Sequence, residues 1–278
     1  MANESTYGTI SAVINSIWEV AFMTEREMSV VRPLVTNFTD QGGNAPRKWT
    51  DYTGGTVQTL TESTDMSAQA FKHDVAGTLT PAIYGANYFL TDIRIASDWA
   101  NARADAGADL GQILAEKNDK DLCGLFDDFT GGTVGSAGGT LTWANIMLGM
   151  AKLRANKVPA PYSCVLRPEH WYYLTSATSV PDLIQSPNLM NAITGQYYVG
   201  SFGPLNFFID SNITAGTAAV GGMFGRKALA FDLRRAIRIE PQRDASRGGG
   251  GWELNATQIY ATGVYRPNHG VKVIGTSI

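Results

Sequence analysis

The sequence predicts a mixed α+β fold, and three observations support this class. Two long segments, 98–118 and 142–156, carry apolar residues at helical spacing. Several short runs in the second half of the chain are typical of strands, bounded by Gly, Pro or polar residues. Hydrophobic residues make up 44% of the chain, enough for a real core. We therefore expect two main helices packed on sheets of antiparallel type.

The composition is poor in charge. The chain has 278 residues, of which 30 are glycine and only 17% are charged, against about 25% in an average protein. Either its surface is unusually rich in Thr, Asn and Ser, or much of that surface is buried against other copies. Because interface cores are depleted in charge, the second interpretation is favoured. The net charge of -3 gives no overall basic field for nucleic acid.

The N-terminal segment Thr9–Met23 is predicted to be an amphipathic helix. Its polar face lacks the Lys and Arg residues of membrane-surface helices, so we expect it to pack against protein. There is no secretion signal and no apolar run of about 18 residues, which predicts a protein folded in the cytoplasm. The apolar stripe consists of Ile10, Val13, Ile14, Ile17, Trp18 and Ala21.

Residues 36–80 differ from the helix before them. The segment is rich in Thr, Ser, Asp and Gln and is interrupted by glycine pairs. Val57–Thr61 alternates with period two, and Phe71–Val75 resembles a returning strand. We expect a long two-stranded excursion that needs a partner surface, since an isolated hairpin is marginal in water. The alternative is an ordinary surface loop.

The predicted helix 98–118 has an apolar stripe of Trp99, Ala102, Ala106, Leu110 and Ile113. A neighbouring line contains mainly carboxylates. It has no histidine at metal-ligand spacing, so a solvated or subunit-facing surface is favoured over a metal site. That line consists of Asp98, Asp105, Asp109, Gln112 and Glu116.

The rest of the chain predicts one more long helix, one short helix and several strands. Thr142 is a plausible N-cap for the long helix, and Pro168 opens the short one. Residues 176–202 show little regular pattern and are expected to be loops. The inward side chains are expected to be Trp143, Ile146, Met147, Met150, Leu153, Trp171 and Leu174, with strands at 162–166, 205–209, 228–233, 236–240, 253–265 and 270–274.

A search for chemistry predicts no enzyme. His73, His170 and His269 are isolated from one another, and no nucleophile, phosphate-loop or metalloprotease motif is present. Cys123 and Cys164 are expected to be reduced, buried thiols. We assign no catalytic, cofactor-binding or metal-binding residue and expect no cofactor. The clustered basic residues are expected to form a polar face or to meet a neighbour's acids or phosphates: Arg226, Lys227, Arg234, Arg235, Arg238 and Arg243–Arg247.

Read in order, these elements resemble the major capsid proteins of tailed bacteriophages, which share the Hong Kong phage capsid fold. Four stretches carry the resemblance across nearly the whole chain. They are Val57–Glu62, similar to the strand of the family's extended loop; Thr80–Asp92 with the Asp98 helix, similar to the lead-in and the long spine helix; Val165–Leu174, similar to a strand–Pro–helix segment of the axial domain; and Gly263–Pro267 with Val271–Ile274, similar to the closing strands of the peripheral domain.

The resemblance implies a structural protein that self-assembles into an icosahedral shell around double-stranded DNA. It implies four parts: an N-terminal arm (1–40), an extended hairpin loop (41–80), a peripheral domain with its spine helix at about 98–118, and an axial domain (141–251). The peripheral domain would comprise residues 81–140 and 252–278. Some relatives crosslink their subunits through Lys and Asn side chains, but no matching motif is present here.

The implied partners are further copies of the chain, in hexameric and pentameric capsomers. Scaffolding, portal and cement proteins and DNA bound without sequence specificity are further implied partners, and no membrane is expected. The implied location is the virion, assembled in the host cytoplasm. The nearest alternative is an encapsulin-like nanocompartment with protein cargo. A carbohydrate-binding surface protein and an unrecognised hydrolase are the remaining alternatives.

Overall fold

The computed structural model describes residues 29–39, 43–53, 55–63, 65–70, 72–97, 102–176, 198–246 and 249–277. The predicted helix Thr9–Met23 lies outside these ranges. The helices are α1 (Asp92–Ser97), α2 (Ala102–Gly124), α3 (Trp143–Ala155) and α4 (Pro168–Ser176). The strands are β1 (Thr36–Phe38), β2 (Arg47–Thr53), β3 (Lys72–Leu79), β4 (Ala82–Thr91), β5 (Thr133–Gly135), β6 (Tyr162–Leu166), β7 (Tyr198–Phe202), β8 (Leu205–Ile209), β9 (Ala219–Gly225), β10 (Leu229–Asp244), β11 (Gly251–Val264) and β12 (Gly270–Gly275). None of these four helices has the length and apolar character needed to cross a bilayer.

A four-stranded sheet packs against α2. Its strand order is β1-β10-β11-β4, and its centre is the long antiparallel hairpin of β10 and β11. Leu110 and Leu114 of α2 form one core with Leu90, Ile239 and Leu254 of the sheet. These positions on α2 are four residues apart, so both side chains point at the sheet. Two register shifts, between Leu233 and Arg238, make β10 irregular.

A six-stranded sheet, of order β5-β12-β9-β6-β8-β7, packs against α3 and α4. It is mixed, since β6 and β8 are parallel whereas β6 and β9 are antiparallel. Ile146 and Leu153 of α3 and Leu174 of α4 are fully buried in its core. The Thr142 side chain accepts a hydrogen bond from the Asn145 N–H at 3.4 Å, which caps the start of α3 as predicted.

The two sheets meet at the C-terminal end of α2. Phe126 and Phe129, in the turn after this helix, pack on Phe224 of β9 with ring centroids 5.5 and 5.8 Å away. The same core takes Phe231 and Tyr260 from the four-stranded sheet. Helix α2 is therefore attached to both sheets through one aromatic cluster.

The predicted long helix is confirmed as α2, with different limits. It continues to Gly124 rather than about 118, and residues 98–101 at the predicted start lie outside the described ranges. Ile113 was expected in the buried stripe but is 37% exposed, and Leu114 is buried in its place. With 3.6 residues per turn, the buried stripe runs through positions 106, 110 and 114. The predicted acidic line faces solvent at Asp105, Asp109 and Gln112.

The predictions for residues 142–174 are largely confirmed. The structure places α3, β6 and α4 where the sequence indicated, with Leu174 buried. Met147 was expected to face inward, but it is 49% exposed. Trp171 is only half-buried, at the edge of the core of the six-stranded sheet.

The strand predictions are partly wrong. The strands expected at 228–233 and 236–240 form one continuous strand, β10. β9 was missed because its glycines hide the strand pattern, and β7 was expected to be part of a loop. Gly222 of β9 lies against the Phe126 ring, where an added Cβ would approach a ring carbon to 2.7 Å. Residues 177–197, also expected to be loops, lie outside the described ranges.

The sheets do not follow the expected domain limits strand by strand. β10 was assigned to the axial segment 141–251, and it pairs with β11 and β4 of the peripheral segments. β12 was assigned to the peripheral segment 252–278, and it pairs with β9. The chain therefore crosses between the two sheets more often than a division by sequence alone suggests.

Candidate functional site: the extended loop and its base

We call β2, β3 and the residues between them the extended loop. β2 and β3 pair only with each other, in antiparallel register from Arg47↔Leu79 to Thr53↔Lys72. This is the two-stranded excursion that the sequence predicted, but its first strand lies elsewhere and its second is longer. Val57–Thr61 was expected to be a strand, and the structure shows no strand there. Lys72–Leu79 forms the returning strand, which was expected at Phe71–Val75.

A buried ion cluster joins the base of the extended loop to the four-stranded sheet. Asp232 of β10 has a fully buried side chain and accepts a hydrogen bond from Arg47 Nε at 2.9 Å. Arg234, whose side chain is 1% exposed, contacts the same Asp232 oxygen through Nε at 3.1 Å. The Arg47 guanidinium also lies 4.4 Å from the centre of the Phe38 ring. Two guanidiniums thus share one buried carboxylate. Removing that carboxylate would take away the anion that both of them bind.

Aromatic packing provides the second attachment of the loop base. Trp49 packs against Tyr265 with ring centroids 5.2 Å apart, beside a small buried core of Leu79, Ala230 and Ala261. Side chains at Arg47 and Trp49 lie on the same face of β2, because alternate residues of a strand point the same way. The base of the extended loop is therefore fixed to the body by one face of β2 and by the buried end of β3 at Leu79.

The distal segment, residues 55–70, is held by glutamine side chains. The Gln58 amide accepts from the Ser67 N–H at 3.1 Å and donates to the Ser67 carbonyl at 2.8 Å. Gln69 forms the same pair of bonds with Thr56, at 2.6 and 2.7 Å. Each side-chain amide therefore replaces one peptide group of a β-ladder. The backbones of the two halves of the distal segment are therefore separated by the length of a glutamine side chain. This explains why they do not pair as regular strands.

Apolar side chains of the extended loop are exposed. The exposed fractions are 102% for Val57, 69% for Met66, 60% for Val75 and 54% for Leu60. Such a group on an otherwise polar segment is typical of a surface that contacts another molecule. These side chains contribute nothing to the core of their own subunit. They form the candidate contact surface of the extended loop.

The body carries further exposed apolar residues. On α3, Met147 and Leu148 are each about half exposed, at 49% and 50%. Tyr172 of α4 is 65% exposed, and Ile93 of α1 is 73% exposed. The helices of the six-stranded layer and α1 thus offer additional apolar contact points.

The titratable residues that the sequence analysis considered do not converge. His170 is fully buried beside Gly275, and burial lowers its pKa. The pKa of His269 is also lowered by burial and by the charges of Arg266 and Lys227. Both cysteines are free and buried as expected, and burial raises the pKa of each thiol. In the described ranges, no three His, Cys, Asp or Glu residues are grouped as metal ligands would be.

Of the six described basic residues in the predicted cluster, three form ion pairs within the chain. Arg234 bonds to Asp232, and Arg243 Nη1 bonds to Asp92 at 2.6 Å. Arg238 pairs with Glu240 at the surface. Arg226 and Lys227 are exposed in the turn between β9 and β10. The basic residues that are near one another in the sequence therefore have different partners and positions in the structure.

One group of polar residues was not expected from the sequence. Asp119 of α2, Cys123 one turn further on and Asp210 after β8 are all buried and close together. No motif marks them, because Asp210 lies 87 residues from Cys123 in the chain. Asp119 also falls just beyond the predicted helix 98–118, so no sequence signal marked it.

A polar cavity of about 390 Å³ separates the loop base from the turn before β12. Its lining includes Trp49, Asp51, Asp128 and His269. Burial, and next the charges of Arg266 and Lys227, disfavour the charged form of this imidazole and lower its pKa. The cavity opens where the extended loop, the contact between Trp49 and Tyr265, and the turn before β12 meet.

Comparisons with known proteins agree with the fold. A family model for phage capsid protein matches residues 75–273, and no curated protein matches the chain significantly. The structure of Mycobacterium phage Che8 is similar with a TM-score of 0.71 and 18% identity, covering 88% of this chain and 90% of that one. The mature capsid of bacteriophage PhiM1 has a TM-score of 0.65 and 14% identity, covering 90% and 88%. A virus-like particle from Pyrococcus furiosus has a TM-score of 0.61 and 8% identity, covering 94% and 98%. At these identities the likeness establishes the fold, which is the Hong Kong phage capsid fold that the sequence indicated.

Proposed function

Since the chain belongs to the phage capsid protein family, we propose that it builds an icosahedral shell from hexameric and pentameric capsomers. Its role as a structural protein of the capsid shell, located in the virion, follows from the family and the fold. The finer proposal rests on one observation, the exposed apolar side chains of the extended loop. Copies of the chain would bury these side chains against each other, since a closed shell needs several subunit contacts per chain.

We further propose the four-part division: arm 1–40, extended loop 41–80, peripheral domain 81–140 and 252–278, and axial domain 141–251. The pairing of β2 and β3 with each other supports treating the extended loop as a separate arm. Strand β10 of the axial segment pairs with β11 of the peripheral segment, and β12 of the peripheral segment pairs with β9 of the axial segment, so the two proposed domains share their sheets.

The proposed content of the shell is double-stranded DNA, bound without sequence specificity. The net charge is -3, and several arginines are already paired with carboxylates of the same chain. Sequence-specific recognition would require free side chains directed at base edges. Scaffolding, portal and cement proteins remain proposed partners, and assembly is proposed to occur in the host cytoplasm.

We also propose that the chain has no catalytic activity, since His170, Cys123 and Cys164 are buried. The encapsulin-like alternative is not favoured, because the matching family model describes a phage capsid protein. Similarity to an archaeal virus-like particle concerns the fold alone.

A triple substitution in the distal segment tests the assembly role of the extended loop. Val57→Ser, Leu60→Ser and Met66→Ser together remove exposed apolar surface without touching the core. We expect a melting temperature within about 2 °C of the unchanged protein, because surface substitutions change stability by only about 0.5 kcal/mol. Shells should be absent or reduced at least tenfold by negative-stain electron microscopy and sedimentation.

The control replaces exposed polar residues of the same segment, Thr59→Ser with Glu62→Gln. This variant should assemble normally. Shells of normal number and size from the triple variant would show that the exposed apolar side chains have no role in assembly.

A further inference from the structure

Three turns of the chain meet beside the base of the extended loop. The Ala228 carbonyl, between β9 and β10, accepts hydrogen bonds from the Tyr265 N–H at 2.8 Å and the Arg266 N–H at 3.1 Å. Gly225, at the start of the same turn, lies against Val158, whose side chain would be 2.6 Å from a Cβ added at Gly225. The turn after α3 and the turn before β12 therefore both adjoin the turn between β9 and β10. We call this region the three-turn surface and define it by residues 154–159, 225–228 and 265–269.

The three-turn surface carries five exposed cations. They are Arg154 and Lys157 at the end of α3, Arg226 and Lys227 after β9, and Arg266 before β12. Within the described ranges, none of the five forms an ion pair or a side-chain hydrogen bond. Burial, and next the charges of Arg266 and Lys227, lower the pKa of His269, so these two cations lie close to one ring.

Exposed cations on α2 and β10 are, by contrast, neutralised within the chain. The pairs are Lys117–Asp121, Lys120–Glu116, Arg238–Glu240 and Arg243–Asp92. Two carboxylates, Asp51 and Asp128, line the polar cavity that Arg266 also lines, so five cations stand against two acids at the three-turn surface. Because the pairs above already occupy four carboxylates, a second copy offers few acids to neutralise this surface. Its charge therefore fits an anion other than a second copy.

The backbone that presents these cations is fixed. The Lys157 N–H donates to the Arg154 carbonyl at 2.9 Å, and the Asn156 side chain donates to the Gly131 carbonyl at 2.9 Å. The long side chains of the cations remain exposed and can change rotamer. A fixed backbone with adjustable cationic side chains can follow a series of phosphates without reading bases.

We propose that the three-turn surface binds the phosphate backbone of double-stranded DNA. This inference rests on the proposed function, because it assigns the surface that contacts DNA in a shell that encloses DNA. Double-stranded DNA carries one negative charge per about 1.7 Å of its axis, so several cations of one surface can contact phosphates together. A local basic surface also explains how a chain with a net charge of -3 binds a polyanion.

Fluorescence anisotropy tests this surface with a labelled 20-base-pair duplex of mixed sequence. The duplex is titrated with the purified full-length protein, at concentrations where sedimentation shows no shells. The test variant combines Arg226→Gln, Lys227→Gln and Arg266→Gln. We expect its Kd at 50 mM NaCl to rise at least about tenfold, and the slope of log affinity against log salt to become shallower by about 2.7, since each phosphate contact contributes about 0.9.

Two further variants make the result specific. The control combines Lys117→Gln, Lys120→Gln and Arg238→Gln, which removes the same charge from exposed, paired positions and should keep Kd within about twofold. Arg154→Gln with Lys157→Gln should make the salt slope shallower by about 1.8, and it decides the question if the test variant does not fold. Equal DNA affinity of the test variant and the control would overturn the proposal.

A polyglutamate peptide of equal charge distinguishes DNA from an acidic protein partner. We expect the duplex to bind more tightly than the peptide, and tighter binding of the peptide would overturn the assignment to DNA. The test variant should still form shells in negative-stain electron microscopy, because it leaves the apolar side chains of the extended loop unchanged. An unchanged protein that forms no shells would contradict the proposed function, whereas the DNA titration would still decide this inference.

Discussion

At the scale of single residues, Asp232 places a buried carboxylate between two arginine side chains. Its carboxylate is fully buried and serves Arg47 from the loop base and Arg234 from its own strand. A buried charge without a partner costs far more than a surface charge, since it has lost its hydration. We therefore expect Asp232 to stabilise the packing of the loop base on the four-stranded sheet.

Asp232→Asn should destabilise the folded subunit by about 3–5 kcal/mol, because it removes the buried carboxylate that both guanidiniums bind. The measurement is urea unfolding followed by tryptophan fluorescence. Asp127→Asn is the matched control, since Asp127 pairs with Lys272 at 3.1 Å but is 70% exposed. Its effect should stay below about 1 kcal/mol. Equal effects of the two substitutions would show that the Asp232 cluster adds nothing to stability.

At the scale of elements, the extended loop combines a fixed base with an open distal segment. Its base is held by the Asp232 cluster and by Trp49, whereas the two halves of residues 55–70 are joined by the side chains of Gln58 and Gln69. Local stability should therefore fall along the loop from base to tip. Because the distal segment lies outside the core, its conformation can adjust when it contacts a partner.

Replacing Gln58 and Gln69 by alanine should loosen the distal segment without unfolding the protein. Each substitution removes two hydrogen bonds, worth about 0.5–1.5 kcal/mol each, so amide exchange in residues 55–70 should accelerate at least about tenfold. The melting temperature should stay within about 2 °C, because the segment is outside the core. Gln112→Ala, on the exposed face of α2, is the control. Unchanged exchange in residues 55–70 would contradict the role of the two glutamines.

At the scale of the whole molecule, low charge and exposed apolar side chains belong together. Only 17% of residues are charged, and several of these are paired within the chain. The apolar side chains of the extended loop, α1, α3 and α4 are exposed in the single subunit. Contacts between copies should therefore depend on apolar burial more than on charge.

Shell assembly should consequently be insensitive to salt. Raising NaCl from 0.1 to 1 M shortens the screening length from about 10 to 3 Å, which weakens ionic contacts and leaves apolar contacts intact. We expect the assembled fraction in sedimentation to change by less than about twofold. Dissociation of most shells at 1 M NaCl would mean that charge pairs hold the subunits together.

The sequence by itself determined the elements with strong local signals. Helix α3 with its Thr142 cap, strand β6 and helix α4 after Pro168 lie where periodicity and capping predict them. These features depend on neighbours within a few residues, which the sequence displays directly. The family resemblance was recognisable for the same reason, because it rests on the order of such elements.

Tertiary structure alone decided the long-range features. Asp232 meets Arg47 across 185 positions, and Asp119 meets Val30 across 89. Strand β9 is central to its sheet despite a glycine-rich sequence, because Phe126 fills the space that a side chain would take at Gly222. A polar residue does not reveal its distant partner, since periodicity reports which face is buried and not what covers it. The loop base and the contact of Asp119 with Ser29–Val31 are both built from such pairs.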